Sequence, residues 1–372
     1  MKVIISGGGT GGHIFPAIAI GRALQKHLPG IQILFVGAKG KMEMQKVPQA
    51  GFQIHGLWIS GFKRSLSATN LLFPVKVLWS MFQAFHILRR FRPDVAVGVG
   101  GYASGPLLRM ASWMGIPTMI QEQNSYPGVT NRALARMAVR IFTAYPGMES
   151  VFPAEKTELT GNPVRKEVVD IKDKKEEALK YFGLTAGRPV ILVIGGSQGA
   201  RSLNEAMESN LGRFEDNDRQ WIWQTGTSFY EKAKALSDAT RSGNVAVRDF
   251  ITRMDLAYAA ADLIVSRAGA ISITELCNVG KPIVLVPYPF AAADHQTRNA
   301  EVLENAGAAI MIKDSQIKRT LFDTLNRLIE DAGLREHLSD NLRKWAIPDA
   351  DDRIAEYIIN WIVPKKPSGN ES

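Results

Sequence analysis

The sequence predicts an α/β protein built from two doubly wound, Rossmann-like parallel sheets. Three observations carry this. Short apolar runs alternate with amphipathic helical stretches from one end of the chain to the other, the pattern of parallel strands buried on both faces. At 372 residues the chain is too long for one ordinary hydrophobic core, so two domains are expected. An internal echo divides it. KVIISGGGTGG and PVILVIGGSQGA, about 190 residues apart, are each an apolar strand, a glycine turn and a helix start. That separation is far beyond a solenoid period.

Taken in order, the first half reads as strands Val3–Ser6, Ile33–Gly37, Val95–Gly98, Thr118–Gln121 and Arg140–Thr143. Helical spacing of apolar residues at i, i+3 and i+4 falls between most of them, as in Ile14–Leu28. Gly161-Asn162-Pro163 stops the pattern and a charged helix restarts it. The second half gives strands Val190–Ile194, Trp221–Gln224, Asn244–Val247, Leu263–Ser266 and Ile283–Val286, with helices over Arg201–Phe214 and Ala270–Asn278. Domains are therefore expected over residues 1–163 and 164–345, followed by a terminal helix at 346–364. The tail 365–372 has the composition of a disordered segment.

An apolar fraction of 45% and a charged fraction of 22% are those of a soluble globular protein. The single cysteine, Cys277, excludes an intramolecular disulfide framework and suits a reducing compartment. Lys2 is followed by only three apolar residues, Val3, Ile4 and Ile5, before Ser6 and the glycines break the run, so no export signal is read and a cytoplasmic location is expected.

The net charge of +9 is concentrated. No Asp or Glu occurs from Met44 to Pro93, where Lys46, Lys63, Arg64, Lys76, Arg89, Arg90 and Arg92 all fall. Such a field attracts polyanions. Within it runs LLFPVKVLWSMFQAFHILRRFR, Leu71–Arg92. As a helix after Pro74 it has a narrow polar stripe of Lys76, Ser80, Gln83 and Arg90, and apolar residues over most of the remainder. A surface helix buries about a third of its circumference, so apolar area is left over. The stretch is too polar to span a bilayer, which needs ~20 nearly uncharged residues. The reading is a peripheral contact with an anionic membrane surface, against the alternative of a helix buried between sheet and neighbour. Nucleic acid is disfavoured, because the basic residues accompany a greasy helix rather than exposed stacking aromatics.

Three glycine loops follow strands: Gly7–Gly12, Gly98–Gly105 and Gly195–Gly199. A strand–glycine turn–helix unit offers backbone N–H groups and a helix N-terminus to an anion, so three of them point to phosphoryl ligands. Gly7, Gly9 and Gly12 satisfy the dinucleotide fingerprint. That fingerprint also needs an acid at the end of the second strand, and Lys39 stands there, which leaves only an NADP-dependent oxidoreductase as a rival. A P-loop is excluded, since the loop ends Gly12-His13-Ile14 without Lys-Ser/Thr. In SRAGAISITELCNVGKP a strand, a turn at Gly269 and a helix place Glu275 in the second helical turn, where its carboxylate could accept both hydroxyls of a ribose. PYPFAAADHQTRNA puts Asp294, His295 and Gln296 at the carboxyl-end rim, where open α/β sheets bind ligands.

GGGTGGHIFPA, GVGGYASGP, QEQNSYPGVTN, TGNPVR, GGSQGAR, SRAGAISITE and DHQTRNA, in that order, span almost the whole chain. Together they resemble the MurG family of glycosyltransferases, which add N-acetylglucosamine to the lipid-linked muramyl-pentapeptide precursor of peptidoglycan. The resemblance implies the GT-B fold: two Rossmann-like domains facing across a cleft, donor nucleotide on the second, acceptor on the first, and a terminal helix returning to the first. It implies UDP-N-acetylglucosamine (UDP-GlcNAc) as donor and undecaprenyl-pyrophosphoryl-MurNAc-pentapeptide as acceptor. It implies no metal and no cofactor.

Carried over by position, Thr10, Gly11 and Gly12 would lie beside the donor sugar and diphosphate, and Asn124 would touch the transferred sugar or acceptor. Arg165 and Ser197 would meet the UDP phosphates, with Arg267 a further candidate. Ile251 would pair with uracil through its backbone. Ala270, Ile271, Ser272, Ile273, Thr274 and Glu275 would supply phosphate amides and the ribose carboxylate. Gln296, with Thr297 as its neighbour, would bind the sugar hydroxyls. An acceptor hydroxyl displaces UDP through an oxocarbenium-like transition state, inverting the α-linked donor to a β product. Helix N-terminal amides and Arg165 would stabilise the charge growing on the pyrophosphate. His13 and Glu122 compete as general base, and the sequence does not choose between them. Other lipid glycosyltransferases of the same fold, and a non-catalytic nucleotide-binding membrane scaffold, are the remaining rivals.

Overall fold

A computed structural model describes residues 1–61, 72–210, 212, 219–240 and 243–363. Lys63, Arg64, Leu71, the expected end of a helix at Phe214 and the tail 365–372 lie outside them. The chain divides into two compact units, Met1–Val164 with the stretch from Ile347, and Arg165–Ala346.

The first unit is built on seven parallel strands: β1 (Lys2–Ser6), β2 (Gln32–Ala38), β3 (Gln53–Leu57), β4 (Val95–Gly98), β5 (Thr118–Glu122), β6 (Arg140–Thr143) and β7 (Thr157–Leu159). Their spatial order is β3-β2-β1-β4-β5-β6-β7. The second unit repeats the plan with β8 (Val190–Ile194), β9 (Gln220–Gln224), β10 (Val245–Arg248), β11 (Leu263–Ser266), β12 (Ile283–Leu285) and β13 (Ile310–Met311), in the order β10-β9-β8-β11-β12-β13. Every pairing is parallel.

All ten expected strands are present. The three that the sequence did not reveal, β3, β7 and β13, are edge strands. An edge strand is covered on one side only, so QIHGL, TEL and IM lack the continuous apolar run that marks the central strands.

Side-chain alternation fixes the cores. In β9, Trp221 and Trp223 enter one layer of the second unit with Leu321 and Phe322, while Ile222 enters the other with Leu256 and Leu276. In the first unit the helix Gly11–His27 covers one sheet face. The helix Ala350–Ile362 packs on it, adding Ile354, Ala355 and Ile358 to a layer with Ile14, Ile18 and Leu24. Asp352 accepts from Lys26 Nζ at 3.1 Å and lies 2.7 Å from His27 Nε2, which fixes the register of that pair. Cys277 is buried, and burial pushes its thiol up to about 12, so it packs as a hydrophobe.

In the helix Phe73–Phe91 three of the four stripe residues face the protein, and Arg90 is exposed: Ser80 is fully buried with Ala84 and Leu88, Gln83 Oε1 accepts from Trp58 N at 2.9 Å, and Lys76 Nζ donates to Ser60 Oγ at 3.0 Å. Val75, Leu78, Trp79 and Phe82 are 51–70% exposed. No helix among the described residues is long and apolar enough to cross a membrane.

Candidate active site

Strand order decides where ligands can sit. A doubly wound sheet reverses direction beside its first strand, and the crevice beyond the carboxyl ends at that point is the ligand site. In the first unit the reversal falls between β1 and β4, paired Ser6 to Gly98, so the loops Gly7–Gly12 and Gly98–Gly105 meet there. In the second it falls between β8 and β11, paired Ile194 to Ser266, bringing Gly195–Gly199 beside the helix Ala270–Val279.

The two loops of the first unit interlock. Gly100 and Gly101 have φ of +99° and +89°. A Cβ on Gly101 would lie 2.3 Å from Gly8 O, and one on Gly100 2.8 Å from His13 Nε2, so only glycine is accommodated. Ser104 Oγ lies 2.8 Å from Gly100 O and 2.9 Å from Ser6 O and donates its one proton between them, fixing the start of the helix Ser104–Trp113 against both strands. His13 Nδ1 lies 3.0 Å from Gly8 O and 3.3 Å from Thr10 Oγ1. A carbonyl only accepts, so Nδ1 carries the proton, and the neutral ring has its basic lone pair on Nε2.

Glu122 is differently held. Its Oε1 accepts from Asn124 N at 3.0 Å and Asn124 Nδ2 at 3.2 Å, and its Oε2 from Gly128 N at 3.0 Å and Asn131 Nδ2 at 2.9 Å. The residue is 1% exposed. Four donors saturate the carboxylate, which ties down the QEQN loop and aims Asn124.

A buried carboxylate that organises the first glycine loop escaped the sequence reading. Glu43, fully buried, accepts from Gly9 N at 3.0 Å and Ala38 N at 2.9 Å. It reaches back over the end of β2 and occupies an amide that a pyrophosphate would use. The dinucleotide reading loses its anchor there.

In the second unit a cavity of about 1110 Å³ is lined by Gly195, Gly196, Gln198, Gly199, Gly269, Ser272, Tyr288 and Gln296, among others. Ser197 is exposed on the same loop. Glu275, Arg165 and Ile251 lie off this wall. Tyr258 Oη donates to Glu275 Oε2 at 3.0 Å, and Arg165 Nη2 is 3.5 Å from Glu275 Oε1. Burial raises the Glu275 carboxyl above the usual range, opposed by the Arg165 charge and by the Tyr258 hydrogen bond. Tyr258, itself fully buried, is a second residue that the sequence did not single out. It sits in the alanine-rich DLAYAAAD, where nothing local marks its partner.

Further contacts describe how the other expected residues are held. Ile273 packs in the core and its amide donates to Gly269 O, while Thr274 Oγ1 donates to Ala270 O at 2.9 Å. The Ile273 amide is thus used within the helix, and the amides that precede it at the helix start are those of Ala270, Ile271 and Ser272. Ile251 N donates to Gln224 Oε1 at 3.0 Å, and Gln224 Nε2 donates to Gly196 O at 2.9 Å. The amide expected for uracil is thus held by a side chain that also holds the glycine loop. Arg267, which lines the cavity, is held by Val286 O, Pro287 O, Ser202 Oγ and the Asp314 carboxylate. Thr297 Oγ1 donates to Asp294 Oδ1 at 2.7 Å, whereas Gln296 lines the cavity with Oε1 accepting from Tyr288 N at 2.9 Å.

Residues 3–143 match the glycosyltransferase family 28 N-terminal domain and residues 190–354 the family's C-terminal domain. The chain is 50% identical over 365 residues to the UDP-N-acetylglucosamine–N-acetylmuramyl-(pentapeptide) pyrophosphoryl-undecaprenol N-acetylglucosamine transferase of Parabacteroides distasonis, covering 98% of this chain and 99% of the relative. It is 47% identical over 358 residues to the protein of the same name from Christiangramia forsetii, covering 96% and 97%. The crystal structure of Acinetobacter baumannii MurG matches with a TM-score of 0.78 at 30% identity, over 96% of this chain and 99% of that one.

Proposed function

The chain belongs to glycosyltransferase family 28, and from that premise we infer its reaction and the residues that carry it. The protein is a UDP-GlcNAc-dependent hexosyltransferase. It moves N-acetylglucosamine to the C4 hydroxyl of the muramyl sugar in undecaprenyl-pyrophosphoryl-MurNAc-pentapeptide, a step of peptidoglycan synthesis. Near-full-length kinship at 50% identity carries donor and acceptor.

The residue roles are ours. His13 Nε2 takes the acceptor proton, and its Nδ1–H on Gly8 O holds the ring in the base-competent tautomer. Glu122 is a positioning residue that orients Asn124 toward the sugar. The first-turn amides of Ala270, Ile271 and Ser272, with the loop around Ser197, take the pyrophosphate. Charge there grows in the transition state, so these dipoles lower the barrier more than they tighten binding. Glu275 accepts the ribose hydroxyls, and Arg165 beside it balances its charge and faces the phosphates. Thr10, Gly11 and Gly12 border the acceptor hydroxyl.

The lipid-linked acceptor also requires a membrane. We assign the contact to the outward apolar face of the helix Phe73–Phe91, at the cytoplasmic leaflet, where Arg89 and Arg90 supply the basic fringe. The packing supports this: Ala84 and Leu88 anchor the helix in the core beside the buried Ser80, while Val75, Leu78, Trp79 and Phe82 are left over on the outside.

The experiment is transfer of label from UDP-GlcNAc to a short-chain muramyl-pentapeptide lipid diphosphate, with EDTA present. Labelled lipid product is expected. UDP release without lipid product would keep the donor site and discard the acceptor.

A further inference from the structure

The first unit contains a second cavity, of about 320 Å³, beside the second glycine loop. Ile59, Phe73, Val77, Met81, Pro106 and Leu134 give it apolar walls, and Gly105 of the helix Ser104–Trp113 lies at one end. One charged group enters it, Arg109. Gly105 and Arg109 are four residues apart and share a helix face, so the guanidinium lies one turn from that helix's N-terminus. Arg109 is partly buried, and its Nη1 donates to Met137 Sδ at 3.2 Å. Sulfur is a weak acceptor, and among the described residues no carboxylate stands within ion-pair distance of Arg109. The guanidinium therefore brings a positive charge to the cavity with no carboxylate among the described residues to meet it, which an anion could do.

Apolar walls with one guanidinium beside a helix start describe the chemistry of an amphiphile with an anionic head. The helix Phe73–Phe91 supplies Val77 and Met81 to this wall and Leu78, Trp79 and Phe82 to the exterior, so the cavity is continuous with the outward apolar face. We propose that the cavity takes the isoprene units next to the diphosphate of the lipid-linked acceptor, with Arg109 pairing to that diphosphate. The proposal rests on the acceptor assigned above. Size agrees with it: a dry cavity of ~150 Å³ takes one benzene ring, so 320 Å³ holds about two isoprene units. The rest of the tail then continues into the membrane, and the acceptor need not leave the bilayer entirely to be read.

The test uses the full chain and two probes, farnesyl diphosphate and inorganic diphosphate, by calorimetry below the micellar range. The wild type should bind the prenyl compound about tenfold or more tightly than diphosphate. Ala133→Trp, at the exposed rim, should erase that preference by filling the mouth, and Thr130→Phe should do the same if the first variant misfolds. Arg109→Met should cost about tenfold for farnesyl diphosphate and little for farnesol. A wild type that does not distinguish the two diphosphates overturns the proposal. So does an Ala133→Trp protein whose kcat/KM falls by the same factor for a prenyl-tailed and a short alkyl-tailed acceptor. Loss of phospholipid-vesicle binding in Ala133→Trp, with the prenyl preference intact, would also overturn it and assign the cavity to membrane lipid. Farnesyl diphosphate binding as described, without transfer to any muramyl acceptor, would instead overturn the acceptor assignment and leave the cavity standing.

Discussion

Tyr258→Phe is the substitution that best isolates how this protein recognises its nucleotide. It removes one oxygen from a fully buried ring and leaves the volume of the core nearly unchanged, so the fold should persist. What disappears is the 3.0 Å hydrogen bond to Glu275 Oε2, a neutral donor on a charged acceptor, worth about 1.5–3 kcal/mol in comparable cases. Two consequences follow. The carboxylate loses one of the two groups that aim it at the ribose, so UDP affinity should fall about tenfold. The Glu275 carboxyl, already raised by burial, also loses a contact that lowers it, so it should rise further.

Diol recognition needs the ionised form, so affinity is present above that pKa and lost as pH falls through it. The variant's acid limb should therefore lie at higher pH than the wild type's, with the deficit widest in acid. Calorimetric titration of UDP and 2′-deoxy-UDP across the acid and neutral range reads both effects. The tyrosine's contribution should shrink for the deoxy compound, which offers Glu275 one hydroxyl fewer. Equal losses for both nucleotides, or an acid limb that does not move, would refute the argument.

The remaining expectations are simpler. Leu78→Asp with Phe82→Asp should release the protein from anionic vesicles in co-sedimentation and leave the melting temperature within a degree or two, since both side chains are more than half exposed; the partly buried Phe85 makes a poorer probe. His13→Ala should lower kcat by about a hundredfold or more with UDP binding unchanged, whereas Glu122→Gln should disturb the Asn124 loop and appear first as faster hydrogen exchange at Gly128; equal kcat losses without that exchange signature would reopen the choice of base. Glu43→Ala strands the amides of Gly9 and Ala38 in a buried site, and a melting temperature lowered by about 5 °C or more is expected; an unchanged melt would show that water replaces the carboxylate without cost.

Much of the architecture was legible because burial writes itself into composition. Central strands such as VILVI are apolar at every position since both faces are covered, whereas β3, β7 and β13 were missed because a strand covered on one side carries no such mark. The glycine loops were legible for a similar reason: a φ of +89° at Gly101 against Gly8 O tolerates no side chain. The chemistry was less so. Glu275 was picked out by its place in a helical turn, but its partner Tyr258 lies on another helix, and Glu43 serves a loop 34 residues away. A carboxylate's role depends on which donors reach it, and no local pattern records that.

The sequence by itself determined the fold class, both glycine-turn sites and the presence of a greasy basic helix, because periodicity, glycine and charge are properties of neighbouring residues. The tertiary structure alone decided which side chains of that helix are held inward, that Tyr258 reaches Glu275, and that Glu43 holds the amide of Gly9. Those outcomes depend on hydrogen-bond distances between elements far apart in the chain, and such distances exist only once the sheets have brought the elements together.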